Sequence, residues 1–129
     1  MKVNFNTRDP VYIQVIRHFK EQIAVGGLEP GEEIPSRREL ANKLKINPNT
    51  AQRAYKEMEA EGLIYTDGNL PSKVTYDENV LRSVKEELIM QAVNHFVHSI
   101  HSINVPLDEV LDIVRETYAN KEDGGNGND

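Results

Sequence analysis

The stretch "SRRELANKLKINPNTAQRAYKEMEAEG", residues 36–62, begins two helices in close succession. Ser36 is followed three residues later by Glu39. This is the spacing of a capping box, in which the hydroxyl accepts a hydrogen bond from the third helical residue and the glutamate reaches back. The box predicts a short helix from Arg37 to about Leu44, with Leu40, Ala41 and Leu44 on its inner face.

The second helix of the stretch starts at the sequence "NPNT", residues 47–50. Asn47 is a good N-cap, and Pro48 suits the first helical position because the N–H that it lacks would be unpaired there. The helix is expected to run to about Glu61, where Gly62 ends it. Two short helices separated by about four residues predict a helix-turn-helix.

The second helix divides into an apolar face and a polar face. Helical spacing places four side chains inward, namely Ala51, Ala54, Tyr55 and Met58. It leaves four outward, namely Asn49, Gln52, Arg53 and Lys56. The amides can pair with adenine edges, and Arg53 can pair with guanine or grip a phosphate. The outward face therefore indicates a recognition helix that enters the major groove of DNA.

Phosphate contacts are expected around the starts of both helices. Thr50 and free backbone N–H groups at the start of the second helix suit phosphate oxygens. Arg37 and Arg38, at the start of the first helix, would reach the DNA backbone across the groove. The alternative is that these residues form ordinary solvated helix faces with good caps.

Elements on both sides of the stretch complete a winged helix. A helix is predicted from Pro10 to about Val25, and the N-terminal residues 1–9 suggest a short edge strand by alternation. After Gly62, "LIYT" and "SKVTY" read as two strands joined by the turn "DGN". We therefore expect a mainly α fold in which residues 1–76 form a winged helix-turn-helix DNA-binding domain of three helices and a small β-hairpin wing.

The remainder of the chain predicts two further helices, from Glu78 to about Ser102 and from Leu107 to about Asn120. The long helix is apolar over a wider arc than one packing face requires. The last helix can cover one apolar stripe, so a second copy of the chain is expected to cover the other. Residues 77–121 are thus predicted to be a helical dimerisation domain that uses Leu81, Val84, Leu88, Ile89, Ala92, Val93, Phe96 and Ile100. A compact monomer with this helix packed on the winged helix is the alternative.

The charges of the chain are segregated along its length. Net charge is −6, yet residues 37–56 carry six basic side chains against one acidic, which gives +5. Residues 108–129 carry two basic side chains against seven acidic, which gives −5. The basic stretch suits nucleic acid. Residues 122–129, "EDGGNGND", are expected to be a disordered acidic tail.

The composition excludes several classes of function. The chain has no cysteine, which excludes disulfides, thiolate metal sites and a cysteine nucleophile. No signal peptide and no apolar run long enough for a bilayer is present, so a cytoplasmic protein without a membrane partner is expected. No glycine-rich phosphate loop occurs and Ser36 has a capping role, so neither an enzyme nor a cofactor is expected.

The stretch from residue 10 to residue 65 also resembles a known family. "PGEEIPSRRELA" and "NTAQRAYKEMEAEGLI" are similar to the winged-helix domain of GntR-type bacterial transcription regulators. The short two-helix remainder resembles the YtrA-like branch of that family. The resemblance implies a homodimeric repressor on a two-fold operator. It also implies that Ser36 and Arg38 match a Pro-Ser-x-Arg signature whose arginine contacts DNA, and that Thr50 contacts phosphate.

The chain departs from the family's pattern at two places. Some branches carry arginine where this chain has Pro48 and Gln52, so their base preference does not transfer. The family's wing is usually glycine-rich and basic, whereas this wing has Asp67 and only Lys73, which weighs against a minor-groove contact. The predicted DNA-binding residues are Ser36, Arg37, Arg38, Asn47, Asn49, Thr50, Gln52, Arg53 and Lys56.

Two other functions stay open at the level of sequence. The first is a winged-helix protein-interaction module without DNA, which the acidic wing and the net charge of −6 favour slightly. The second is a metal- or pH-responsive regulator that uses His95, His98 and His101. The first and last of these are rotated apart on a helix, so one metal ion cannot easily take all three, and no metal site is predicted. A small-molecule effector stays unknown.

Overall fold

A computed structural model describes residues 1–125 and has a mainly helical fold with one small antiparallel sheet. The elements in chain order are α1 (Val11–Ala24), α2 (Arg37–Leu44), α3 (Pro48–Ala60), β1 (Ile64–Tyr65), β2 (Lys73–Val74), α4 (Glu78–Ile100), a 3₁₀ turn (His101–Ile103) and α5 (Leu107–Gly125). The predicted three helices with a β-hairpin wing, followed by two further helices, are confirmed. Among residues 1–125, no helix is both long enough and apolar enough to cross a membrane.

The core of the winged helix forms where α1 and α2 pack on α3. Phe19, Leu40, Tyr55 and Met58 are fully buried there, and the edge of one ring of the Phe19–Tyr55 pair faces the other at a centroid distance of 6.0 Å. The Tyr55 hydroxyl donates to the carbonyl of Pro35. Burial raises the pKa of Tyr55, so the hydroxyl keeps its proton for this bond. The predicted inner face of α3 is therefore confirmed.

The wing is a two-stranded hairpin attached to the turn that precedes α2. Ile64 pairs with Val74 and Tyr65 with Lys73, and Glu33 forms an isolated bridge to Lys73 on the other side. Gly31 adopts a φ of +82°, and a Cβ at this position would overlap the ring of Tyr76. The turn before α2 is thus fixed against the hairpin, which positions the start of α2 beside the wing.

The edge strand predicted for residues 1–9 is wrong, because residues 1–6 have no regular secondary structure and residues 7–9 form bends. Gln14, which is 6% exposed, donates to the carbonyls of Asn6 and Asp9 and accepts from the backbone N–H of Asn6. The Asn6 side chain also accepts from the backbone of Asp9. Val3 and Phe5 are the apolar residues of the predicted alternation, and Phe5 packs against the core. The hydrogen bonds of the buried Gln14 therefore decide the conformation of residues 1–9 more than the short alternation of apolar and polar residues does.

The chain divides into two compact units, Met1–Ile89 and a second unit that begins at Met90. The division lies within α4, beyond the predicted domain boundary after residue 76. Val84 is 4% exposed and belongs to the core of the first unit, and Leu81 and Leu88 pack against that core. Val84 is therefore removed from the predicted dimerisation set, because its side chain is already covered within one chain. Leu81 and Leu88 are partly covered by the same core and are left out of the proposed dimer surface.

The second unit contains the end of α4 and all of α5, and its apolar side chains are largely uncovered. Val93 is 46% exposed, Leu111 37% and Tyr118 68%. The expectation that α5 covers one apolar stripe of α4 is wrong for a single chain. An apolar groove of about 460 Å³ instead runs between Phe96 and Val114.

The end of α5 lies further along the chain than the sequence predicted. The helix continues to Gly125 rather than stopping near Asn120. The first residues of the predicted acidic tail, 122–125, are therefore helical, and the rest of that tail, 126–129, lies outside the described residues.

Candidate nucleic-acid interface

The start of α2 is fixed by the capping box that the sequence predicted. The Ser36 hydroxyl accepts from the Glu39 backbone N–H at 3.1 Å, and the Ser36 backbone N–H donates to the Glu39 carboxylate at 3.0 Å. The hydrogen bond from the Ser36 backbone, with a smaller effect of its side chain, lowers the pKa of Glu39. Ser36 is thus exposed but committed to its cap, and it holds the first turn of α2 in place.

The start of α3 is also capped as predicted, but its backbone donors are occupied. The Asn47 side chain accepts from the Asn49 N–H at 2.7 Å, and the Asn47 carbonyl accepts from the Thr50 N–H at 2.9 Å. Pro48 has no N–H to offer. The expectation of free backbone N–H groups for phosphate at this end is therefore wrong. The phosphate contacts predicted at this end therefore depend on side chains.

The outer face of α3 carries the polar residues that the helical spacing predicted. Asn49, Gln52, Arg53 and Lys56 are exposed, whereas Ala51, Ala54 and Tyr55 are fully buried. Thr50 is half-buried at the edge of this face. Arg38 is exposed at the start of α2. The three buried side chains therefore fix the rotation of α3 about its own axis. As a result, two amides and two cationic side chains are exposed on one side of the helix.

Arg37 has a partner that the sequence did not predict. Its Nη2 donates to Glu59 at 2.6 Å, and its Cζ lies 5.2 Å from the centroid of the Tyr55 ring. The Glu59 carboxylate offsets the charge of the guanidinium, so Arg37 ties the start of α2 to the end of α3. This ion pair occupies one N–H of the guanidinium, and the contact of Arg37 with the DNA backbone stays a prediction.

Arg53 is exposed but also has partners within its own domain. Its Cζ lies 3.8 Å from the centroid of the Tyr12 ring, and its Nη2 donates to the Tyr12 hydroxyl at 3.0 Å. Its Nε lies 3.7 Å from Glu57, one turn further along α3. Helical spacing alone predicts the Glu57 contact. Tyr12 carries no such signal, because it is 41 residues away in the chain.

A groove of about 660 Å³ lies between the start of α2 and the wing. Ser36, Arg38 and Tyr55 line one side, and Thr66 and Ser72, whose hydroxyls are hydrogen-bonded to each other, line the other. The exposed wing tip carries Asp67, whereas Lys73 lies in the paired strand β2. The charge at the tip is therefore acidic, as the sequence indicated.

The three histidines of the second unit do not form a metal site. His95 and His98 lie on α4, and His101 begins the 3₁₀ turn that follows it. Within residues 1–125, no group of three or more His, Cys, Asp or Glu side chains is placed to hold a metal ion. The metal-responsive alternative therefore finds no site of three such ligands within the described residues of one chain.

Comparisons with known proteins agree with this architecture. The sequence profile of the bacterial regulatory proteins, gntR family, matches residues 11–72. The HTH-type transcriptional repressor YtrA of Bacillus subtilis is 33% identical over 133 residues, which cover 100% of this chain and 99% of YtrA.

Solved structures of similar proteins extend this agreement to the fold. A GntR family transcriptional regulator from Listeria monocytogenes has a TM-score of 0.79 at 28% identity, over 87% of this chain and 98% of its own. YtrA from Sulfolobus acidocaldarius, a GntR-family transcription factor, has a TM-score of 0.56 at 26% identity, over 93% of this chain and 97% of its own. Sequence and fold together show that this chain belongs to the GntR family and is a DNA-binding transcriptional regulator rather than an enzyme.

Proposed function

We propose that this protein is a cytoplasmic repressor that binds a two-fold operator as a homodimer, with α3 in the major groove. The observation that carries the proposal is the outer face of α3, where exposed Asn49, Gln52 and Arg53 are held in register by buried side chains. The 33% identity to the repressor YtrA along the whole chain supports the regulatory role.

Each residue of the interface has a distinct role in this proposal. Asn49 and Gln52 read adenine edges through paired amide hydrogen bonds, and Arg53 reads guanine. Arg38, Lys56 and Thr50 contact phosphates, which set the register of the protein without reading sequence. Ser36 and Asn47 act through their caps by fixing the starts of α2 and α3. Arg37 positions these two helices through Glu59.

The homodimer is proposed to form through the apolar residues that a single chain leaves uncovered. Within α4 these begin at Ile89, which is 63% exposed, and include Ala92, Val93, Phe96 and the half-buried Ile100. A two-fold arrangement presents two α3 helices to successive turns of DNA, about 34 Å apart. These side chains are uncovered within a single chain, which supports the homodimer over the compact monomer.

In vitro selection of duplex DNA from a random pool tests whether the protein binds a two-fold operator. We expect a palindromic motif whose affinity falls steeply with salt, by roughly 0.9 in log K per phosphate contact for each unit of log salt. A chain with no affinity for duplex DNA at low salt would instead be a protein-interaction module.

Two substitutions then test the assignment of roles. Arg38→Ala is expected to weaken binding to all sequences alike, because a phosphate contact carries no base information. Gln52→Ala is expected to cost about 1–3 kcal/mol and to relax preference at one base pair. Gln91→Ala, which removes an exposed amide from α4, is the matched control. If Arg38→Ala and Gln52→Ala both weaken binding equally on all sequences, Gln52 does not contact a base in the major groove.

Sedimentation equilibrium at micromolar concentration tests the homodimer separately. A dimer is expected without DNA, because the uncovered apolar side chains belong to the chain itself. A monomer at that concentration would rule out the proposed dimer while leaving the DNA contacts of a single winged helix intact.

A further inference from the structure

Arg53 is the one guanidinium on the outer face of α3, and a side chain from a different helix holds it. Tyr12, in the first turn of α1, places its ring 3.8 Å from the Cζ of Arg53 and its hydroxyl 3.0 Å from Nη2. The ring contact and the hydrogen bond constrain the same group in two directions. A side chain held in this way samples fewer rotamers than a free surface arginine.

The contact leaves Arg53 able to bind a further partner. A guanidinium has five N–H donors, and the Tyr12 hydroxyl takes one of them. Glu57 lies beside Nε at 3.7 Å, which is longer than a good hydrogen bond. The Arg53 side chain stays 60% exposed. Tyr12 therefore orients the group without covering it.

Orientation matters more for a base contact than for a phosphate contact. Bidentate recognition of guanine needs two donors in the plane of the base, whereas a phosphate accepts a cation from many directions. An arginine that is already oriented loses less side-chain entropy when it binds in that orientation. The affinity for the base that fits this orientation therefore rises more than the affinity for a base that does not. An arginine that served only as a mobile charge would gain little from Tyr12.

We propose that Tyr12 is a positioning residue for base recognition, which sets the guanidinium of Arg53 for a contact with one base pair of the operator. This inference rests on the proposed function, since it requires α3 to lie in the major groove. It adds a specificity-determining residue that lies outside the helix-turn-helix, in α1.

The experiment compares six proteins on one set of DNA duplexes. The wild-type chain first defines a preferred duplex by selection from a random pool. Affinities for that duplex and for each of its single-base-pair variants are then measured for wild type, Tyr12→Leu, Tyr12→Phe, Arg53→Ala and the Tyr12→Leu/Arg53→Ala double variant. Tyr76→Leu is the matched control, because Tyr76 packs beside Gly31 and Tyr65 in the wing.

We expect Tyr12→Leu to bind the preferred duplex roughly 3- to 10-fold more weakly, and to lose discrimination at the same base pair as Arg53→Ala. The double variant should bind no more weakly than Arg53→Ala alone, because Tyr12 acts through Arg53. Tyr12→Phe keeps the ring but removes the hydroxyl that accepts from Nη2, so it should lose part of the discrimination, at the same base pair. Tyr76→Leu should leave the base preference unchanged.

Three results would overturn the inference. One is equal weakening by Tyr12→Leu on all duplexes, which is what a general loss of packing or a phosphate contact produces. Another is a loss that adds to that of Arg53→Ala. A wild-type chain that selects no duplex DNA would overturn the proposed function and this inference with it. Because Tyr12→Phe alters a single atom, it keeps the test decisive even if Tyr12→Leu unfolds.

Discussion

The winged-helix unit and the unit that begins at Met90 differ in how much apolar surface one chain covers. In the first unit, Phe19, Leu40, Tyr55 and Met58 have no exposed surface. In the second, no residue from 90 to 123 is buried, although Phe96, Leu111 and Val114 are large and apolar. One region completes its core alone, and the other leaves its apolar side chains uncovered within a single chain.

The two regions therefore have different requirements for stability. A single hydrophobic core with satisfied caps supports a domain at any protein concentration. Helices with wide, uncovered apolar faces gain most of their stability from packing, so they need a partner to cover those faces. We therefore expect mutations in the first region to change the free energy of unfolding by the same amount at every protein concentration. Mutations in the second region are expected to act by weakening association between chains.

A core substitution should have the largest effect. Phe19→Ala leaves a cavity beside Tyr55, and we expect the free energy of unfolding to fall by about 3–5 kcal/mol. Urea denaturation followed by circular dichroism at two protein concentrations measures it, and the loss should be the same at both. Val25→Ala, at a residue that is 77% exposed, should change the value by less than about 0.5 kcal/mol. Equal losses for the two variants would contradict the role of Phe19 in the core of the first unit.

A substitution in the uncovered face should act next most strongly, and through association. Phe96→Asp places a charge on the proposed dimer surface, and we expect it to weaken the dimer by about 2 kcal/mol or more, about 30-fold in Kd. Sedimentation equilibrium measures the change.

The control for Phe96→Asp is Gln91→Asp, which adds the same charge at an exposed polar position of α4. It should leave the dimer nearly intact. A Phe96→Asp protein that dimerises as well as wild type would place the interface elsewhere.

Much of the first region could be predicted because its signals are local. Ser36 with Glu39 and Asn47 with Pro48 fix the starts of α2 and α3 by interactions within a few residues. The inner face of α3 follows from helical spacing alone. The starts of α2 and α3 and the outward position of the amides could therefore be predicted without tertiary information.

The errors lie where distant residues decide the structure. Glu59 lies 22 residues from Arg37, and Tyr12 lies 41 residues from Arg53, so sequence spacing could not show that these arginines have partners. Val84 follows the apolar stripe of α4, yet its burial depends on the fold of the first unit. A pattern identifies an apolar face, but only packing shows which part of it is already covered.

Lys20 marks where the first region extends into α4, and it gives the smallest predicted effect. Its ammonium contacts Glu87 at 2.7 Å and Glu61 at 3.2 Å. Burial alone would lower its pKa, but the hydrogen bonds that Lys20 donates to Glu87 and Glu61 outweigh burial and raise the pKa above its usual value. Because the carboxylates are 40% and 46% exposed, solvent screening keeps the contribution below about 1 kcal/mol.

The sign of the pH dependence follows from the raised pKa. Folding favours the protonated Lys20, so its stabilising effect is complete below the unfolded pKa of 10.5 and is lost as pH rises through the higher folded value. Wild type should therefore lose more stability between pH 8 and pH 11 than Lys20→Met, by under about 1 kcal/mol. Urea denaturation at both pH values measures this difference. Lys85→Met, at an exposed lysine of α4, should keep the wild-type pH profile. If Lys20→Met also keeps it, the ion pairs do not help to hold the start of α4 on the winged helix, and Val84 and its apolar neighbours alone do so.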